Sequence, residues 1–178
     1  NENVGWCCFK LREDAARYGD LLIAAARAAR AADPDVVIVL GGLRYHQELS
    51  AGALGFLEEL YAAHPDIGGS YDVLALHPYA TYPSLAAPED AAPPEVPMPL
   101  MVARVRTFLE RRGDARPIFV TAFSWPVHAG VDEAVQARYL VRGFLHLAAA
   151  GVDLILWRTL RDGPASASFP PEDAFGLL

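Results

Sequence analysis

The chain has 178 residues, 53% of them hydrophobic, with a formal net charge of −7 and a pI near 5.1. That apolar content can bury one sizeable core, so a single domain over 1–178 is expected. With no block of Lys or Arg, the acidic balance argues against nucleic acid and anionic membranes, which need a clustered positive field, and favours a small neutral or weakly charged ligand.

In chain order, the first feature is Asn1-Glu2, with no initiator Met and no charged-then-apolar leader. The true N-terminus and any signal peptide are therefore expected to lie outside the sequence, and it places the protein neither in the cytoplasm nor outside the cell. Cys7 and Cys8, the only cysteines, are adjacent, so they offer neither a disulfide framework nor a CxxC spacing and read as packing residues. Over 13–32, Ala15, Tyr18, Leu22, Ala25 and Ala29 recur at helical spacing until Asp33-Pro34 stops the pattern. Its most apolar run is interrupted by Arg27 and Arg30, and no stretch is long and uncharged enough to cross a bilayer.

"VVIVL" at 36–40 is apolar at every position, as a strand covered on both faces would be, and Gly41-Gly42 reads as its exit. The alternation then repeats: helix 54–63, strand 72–76, helix 100–112, strand 118–121, helix 132–149 and strand 153–157. Such alternation implies parallel strands joined by right-handed helical crossovers, in a doubly wound sheet or a barrel. Connections from helix to strand are short. Those leaving strands are long, above all the proline-rich stretch 80–99, which cannot be helix or central strand and reads as a stiff rim. A domain linker is the alternative there, but the alternation resumes unchanged. The elaborated loops thus share the carboxyl ends of the strands, where ligands bind in such folds.

No G-x-G-x-x-G or G-K-[ST] follows a strand, so no phosphate-bearing cofactor is expected. His77, His128 and His146 lack an i, i+4 partner or a clustered acid, so no metal is expected either. The strand exits instead gather Asn1, Glu2, His77, Tyr79, Trp125, Trp157 and Arg158. Flat aromatic faces stack on pyranose rings, while amide, imidazole, phenol and guanidinium groups hydrogen-bond to hydroxyls, which points to a carbohydrate ligand.

Taken in order, "NE" with a following Trp and long helix, "ADPDVVIVLGG", "YDVLALHPY", "PIFVTAFSWP", "GVDLILWRTLRD" and "FGLL" resemble consecutive blocks of the retaining (β/α)8 glycoside hydrolases of clan A, most nearly the β-xylosidase and cellulase-like sequences of family 39. The resemblance implies a partial barrel running from the end of strand four to strand eight, with the N-terminal half of the barrel as a missing partner. It implies that Glu2 is the acid/base, that Asn1 holds the sugar 2-hydroxyl, that His77 and Tyr79 are the polar pair after strand six, and that Trp157 floors the site. It places the nucleophile at Ala122, which has no carboxylate. Ser124 replaces the family's Gly, and Asn3 stands where many members have Pro. The expected protein is glycoside-hydrolase-like and inactive as given. The alternatives are an active glycosidase that borrows another carboxylate, such as Asp162, and an unrelated α/β binding protein.

Overall fold

A computed structural model describes residues 14–44, 52–79, 86–90, 96–128, 130–162 and 174–178. Asn1, Glu2, Asn3, Cys7 and Cys8 lie outside the described residues. Four helix–strand units follow one another: α1 (Asp14–Ala32) and β1 (Val39–Arg44), α2 (Gly52–Ala63) and β2 (Val73–His77), α3 (Met98–Glu110) and β3 (Ile118–Phe123), α4 (Glu133–Ala149) and β4 (Leu154–Trp157), with a short 3-10 turn at Ile67–Ser70.

The strands form one sheet in the order β1-β2-β3-β4, and every neighbouring pair is parallel. A doubly wound sheet would reverse its order at a switch point. Sequential order with helical crossovers is instead the arrangement of a (β/α)8 barrel, of which this is a part.

Packing is one-sided. Leu40, Leu74, Leu76, Ile118 and Val120 from the strands meet Leu57, Leu60, Val102, Val105, Leu109 and Leu147 from the helices in a single buried core. The helices are stopped and started by local chemistry. Asp132 caps α4 by accepting a hydrogen bond from the Val135 amide at 2.7 Å. Gly113 and Gly151, with φ of 69° and 78°, turn the chain out of α3 and α4 in the left-handed region that glycine enters freely.

At the amino ends of the strands an aspartate recurs as a splice. Asp72 accepts from the Ile38 amide at 2.7 Å and Asp153 from the Ile118 amide at 3.0 Å, each tying the start of its own strand to the neighbour. Asp72 is further held by Arg30 at 2.9 Å. Its carboxyl sits below the usual range, chiefly because of the Ile38 amide, with Arg30 adding to the effect.

β1 begins and ends later than the apolar run suggests. The strand is Val39–Arg44, so Gly41 and Gly42 lie inside it rather than at its exit. Pairing with β2 skips from Leu40 to Leu43, and the bulged backbone is partly satisfied by the Tyr18 hydroxyl, which accepts from the Gly41 amide at 3.0 Å. β3 likewise runs on to Phe123, with an irregularity between Val120 and Phe123 that includes Thr121 and Ala122.

Candidate functional site at the strand exits

His77 ends β2, Ala122 and Phe123 end β3, and Trp157 ends β4, so parallel pairing brings these residues to one end of the sheet. His77 is fixed from two sides. Its Nε2 lies 2.9 Å from the Thr121 hydroxyl, and its ring fits against Gly42 so closely that a Cβ there would fall 2.1 Å from Nε2. This close approach explains the glycine within β1: any side chain at 42 would occupy the space of the imidazole. Gly42→Ala is expected to cost about 1 to 3 kcal/mol through overpacking. It should also shift the His77 ring resonances in NMR spectra; an unchanged urea midpoint with unchanged His77 shifts would refute this packing.

Tyr79 continues from His77, the two rings meeting edge to face at 6.2 Å. Beyond Tyr79 comes Phe175, at 6.4 Å, on the tail segment 174–178. That tail is laced to the exits of β3 and β4: the Trp157 indole donates to the Phe175 carbonyl at 3.3 Å, the Val127 amide to the Ala174 carbonyl at 2.8 Å, and the Leu177 amide to the Leu160 carbonyl at 3.2 Å. Phe175 thereby joins the exit-end aromatics. The sequence singled out "FGLL" as a block without assigning Phe175 a role, and it assigned none to Thr121.

The two tryptophans differ. Trp157 is half-buried and meets Phe123 edge to face at 5.3 Å. Trp125 is only 1% exposed, packs against Phe123, Tyr139 and Trp157, and spends its indole N–H on the Ala86 carbonyl at 3.0 Å. It presents no free face to a ligand and underpins Trp157. The same bond pins residues 86–90 of the proline-rich loop over the β3 exit, where Glu89 pairs with Arg142 of α4 and lies 3.6 Å from His146.

Ala122 is 6% exposed at the end of β3, flanked by β2 carrying His77 and β4 carrying Trp157. Ser124, two residues on, is 4% exposed and its hydroxyl has no hydrogen-bond partner among the described residues. Asp162 lies in the exposed segment after β4. Its Oδ1 accepts from the Gly176 amide at 2.6 Å, so this carboxylate is engaged in holding the tail. Asn1 and Glu2, expected to face Ala122, are outside the described residues. Arg158 donates its backbone amide to the Phe123 carbonyl at 3.2 Å, stitching β4 to β3 beyond Trp157.

The opposite end of the sheet carries a different cluster. There Arg116 pairs with Asp114 at 2.7 Å and donates to the carbonyls of Tyr71 at 2.7 Å and Gly68 at 3.1 Å, while its guanidinium lies 3.7 Å from the Tyr71 ring centroid. Tyr61 and Tyr71 share a 2.7 Å hydrogen bond beside it. An open depression runs past these groups, lined by Glu58, Asp66 and Arg112 among others. Because the polar atoms of Arg116 are consumed by its neighbours, and because the described residues at this end are the helix-to-strand turns, the cluster is a structural staple. Among the described residues, no group of three His, Cys, Asp or Glu is placed to hold a metal ion, and no helix is long and apolar enough to cross a membrane.

No family model matches the chain, and no curated protein matches it in sequence. Solved structures do match it in fold. A family 39 glycoside hydrolase from the gut symbiont Bacteroides cellulosilyticus WH2 superposes with a TM-score of 0.66 at 20% identity, over 90% of this chain and 33% of its own. The endo-1,4-β-D-mannanase of Thermotoga petrophila RKU-1 superposes with a TM-score of 0.55 at 14% identity, over 92% of this chain and 47% of its own. Another structure of a Thermotoga petrophila endo-β-1,4-mannanase gives 0.59 at 14% identity, over 92% and 36%. The chain thus spans between a third and a half of the length of these barrels. Its four sequential parallel strands with their outer helices have the fold of part of a (β/α)8 barrel like those of these glycoside hydrolases.

Proposed function

We propose that the strand-exit end is a carbohydrate site of the glycoside hydrolase kind whose nucleophile position is occupied by Ala122. The observation that carries this reading is the position of Ala122, at the end of β3 between the strand that supplies His77 and the strand that supplies Trp157. In the retaining reaction one carboxylic acid protonates the leaving glycosidic oxygen while a carboxylate about 5 to 5.5 Å away attacks the anomeric carbon. The C–O bond to the aglycone breaks as the glycosyl–enzyme bond forms. Water then attacks the same carbon, the glycosyl–enzyme bond breaks to release the nucleophile carboxylate, and the water's proton passes to the first residue. Glu2 is the proposed acid/base and Asn1 the partner of the sugar 2-hydroxyl. A methyl group at 122 can neither attack nor share charge, so the covalent step has no nucleophile.

His77 and Tyr79 are then hydrogen-bonding groups toward the sugar, and Trp157, backed by Trp125, supplies the apolar floor. The remaining walls belong to strands one to three and most of strand four of the barrel, which we place in an N-terminal half outside this chain. On this reading the protein binds β-linked carbohydrate through a completed barrel and does not hydrolyse it. Calorimetric titration of the completed barrel with xylo- and cello-oligosaccharides tests the reading. Binding that weakens at least tenfold in Trp157→Ala is expected; no binding to any β-linked oligosaccharide would defeat it.

A further inference from the structure

The tail segment 174–178 makes two kinds of contact at the strand exits, and both pass through Phe175. Its carbonyl accepts from the Trp157 indole at 3.3 Å and from the Thr159 amide at 3.4 Å. Its ring meets the Tyr79 ring edge to face at 6.4 Å and 77°, and Tyr79 in turn meets His77 at 6.2 Å and 84°. Both separations lie in the range where aromatic pairs attract beyond their area of burial. One half-buried residue thus touches the aromatic side of the exit through its backbone and the polar side through its ring. The indole N–H is the only hydrogen-bonding group of a tryptophan side chain. With that group spent on Phe175, Trp157 can meet a ligand with its ring face alone.

The residues on either side of Phe175 are themselves tied down. The Ala174 carbonyl accepts from the Val127 amide at 2.8 Å, and the Gly176 amide donates to Oδ1 of Asp162 at 2.6 Å. The Asp162 amide donates onward to the Leu178 carbonyl at 3.1 Å. Gly176 is buried and so close to this segment that a Cβ on it would fall 2.3 Å from the Asp162 nitrogen. Bonds before and after Phe175 therefore set the direction in which its side chain leaves the backbone. We propose that Phe175, clipped in place by Asp162 and Gly176, is a positioning residue of the sugar site, its ring setting Tyr79 against His77 while its carbonyl fixes the Trp157 indole. The inference rests on the carbohydrate reading of the strand exits. A sugar is then held by stacking on Trp157 and by hydrogen bonds to Tyr79 and His77, and the tail keeps these two sides in register. Phe175 acts through these neighbours rather than on the sugar. Asp162 acts through its accepting oxygen, a role that does not need its charge.

Calorimetric titration of the completed barrel, with the xylo- or cello-oligosaccharide that binds it, tests the inference. Phe175→Leu keeps a large apolar side chain and removes the aromatic edge, and is expected to weaken binding about three- to tenfold. Phe175→Tyr, which keeps the ring, should bind as the unmodified barrel does. A residue that only filled space would tolerate leucine. In a Tyr79→Ala background Phe175→Leu should cause no further loss, because the ring then has nothing to position. Asp162→Ala should weaken binding as Phe175→Leu does, and Asp162→Asn, which keeps the accepting oxygen, should not. If Phe175→Leu does not fold, the two Asp162 variants decide. Unchanged affinity in Phe175→Leu would overturn the inference and leave the carbohydrate reading in place, as would an equal loss with and without Tyr79. Equal losses in Asp162→Ala and Asp162→Asn would likewise overturn it. A completed barrel that binds no β-linked oligosaccharide would defeat the carbohydrate reading itself, and this inference with it.

Discussion

Once strands one to three and most of strand four are supplied, Ala122→Glu is expected to raise hydrolysis of an aryl β-glycoside by at least about ten-thousandfold, with the anomeric configuration retained. The substituted carboxylate would stand at the end of β3, between His77 on one side and Trp157 on the other. The Thr121 hydroxyl, 2.9 Å from Nε2 of His77, already orders the neighbouring groups. Ser124 sets the limit on the gain. Its hydroxyl is buried with no partner among the described residues, and an unsatisfied buried polar group costs about 1 to 3 kcal/mol. Ser124→Gly should therefore be tolerated, and it should add to the activity of Ala122→Glu by letting the turn relax. Proton NMR of the first-formed product reports the anomer. A completed barrel that binds sugar yet shows no turnover with Glu at 122 and Gly at 124 would mean that the likeness to glycosidases stops at the fold.

The second large effect lies at the other end of the sheet and concerns stability. Arg116→Ala is expected to lower the unfolding free energy by about 3 to 5 kcal/mol, because removing one member of a largely buried pair leaves the other charge without a partner. The side chains of Arg116 and Asp114 are only 14% and 13% exposed. Burial by itself pushes the Asp114 carboxyl upward; the Arg116 side chain and backbone amide, with the Tyr61 hydroxyl, outweigh it and hold the group below its usual range. Tyr71 is driven the other way, its phenol raised chiefly by burial. Since the folded-state pKa of Asp114 lies below the unfolded value of about 3.9, its contribution is present in full above that value and lost as pH falls through the folded pKa. Urea unfolding at pH 7 and at pH 3 should therefore show a wide gap between wild type and Arg116→Ala at pH 7 and a narrower one at pH 3. An equal gap at both values would show that the ion pair contributes nothing beyond packing.

The architecture was legible because its signals are periodic. Apolar positions on the helical period over 13–32, the all-apolar run 36–40 and the largely apolar runs 72–76, 118–121 and 153–157 give the alternation that the parallel sheet realises. The boundary of the first strand was not legible. A glycine pair after "VVIVL" has the composition of an exit, and only the imidazole of a residue 35 positions further on explains why glycine lies within the strand. The exposure of Val37 was hidden for a similar reason. Val37 sits in a run that reads as covered on both faces, and its exposure depends on where the sheet ends.

The site was legible in its topology more than in its contacts. That His77, Ala122 and Trp157 share one end follows from parallel order alone. The burial of Trp125 depends on the loop carbonyl of Ala86, and the place of Phe175 beside Tyr79 depends on how the tail is laced to the exits of β3 and β4. Neither follows from spacing. Thr121 escaped notice because a threonine in a strand is ordinary by composition; its partner is 44 residues away.

The assignment of position 122 is tested most directly by the product formed in azide. With the barrel completed and Ala122 unchanged, an activated β-glycoside should be inert in buffer alone and should be converted in sodium azide, which enters the space that a carboxylate would fill and attacks the anomeric carbon. The expected product, identified by its anomeric coupling constant, is the α-glycosyl azide, inverted relative to the substrate. Turnover of the unmodified protein without azide, giving the β-configured sugar, would contradict the account, because a nucleophile other than the missing one at 122 would then be at work.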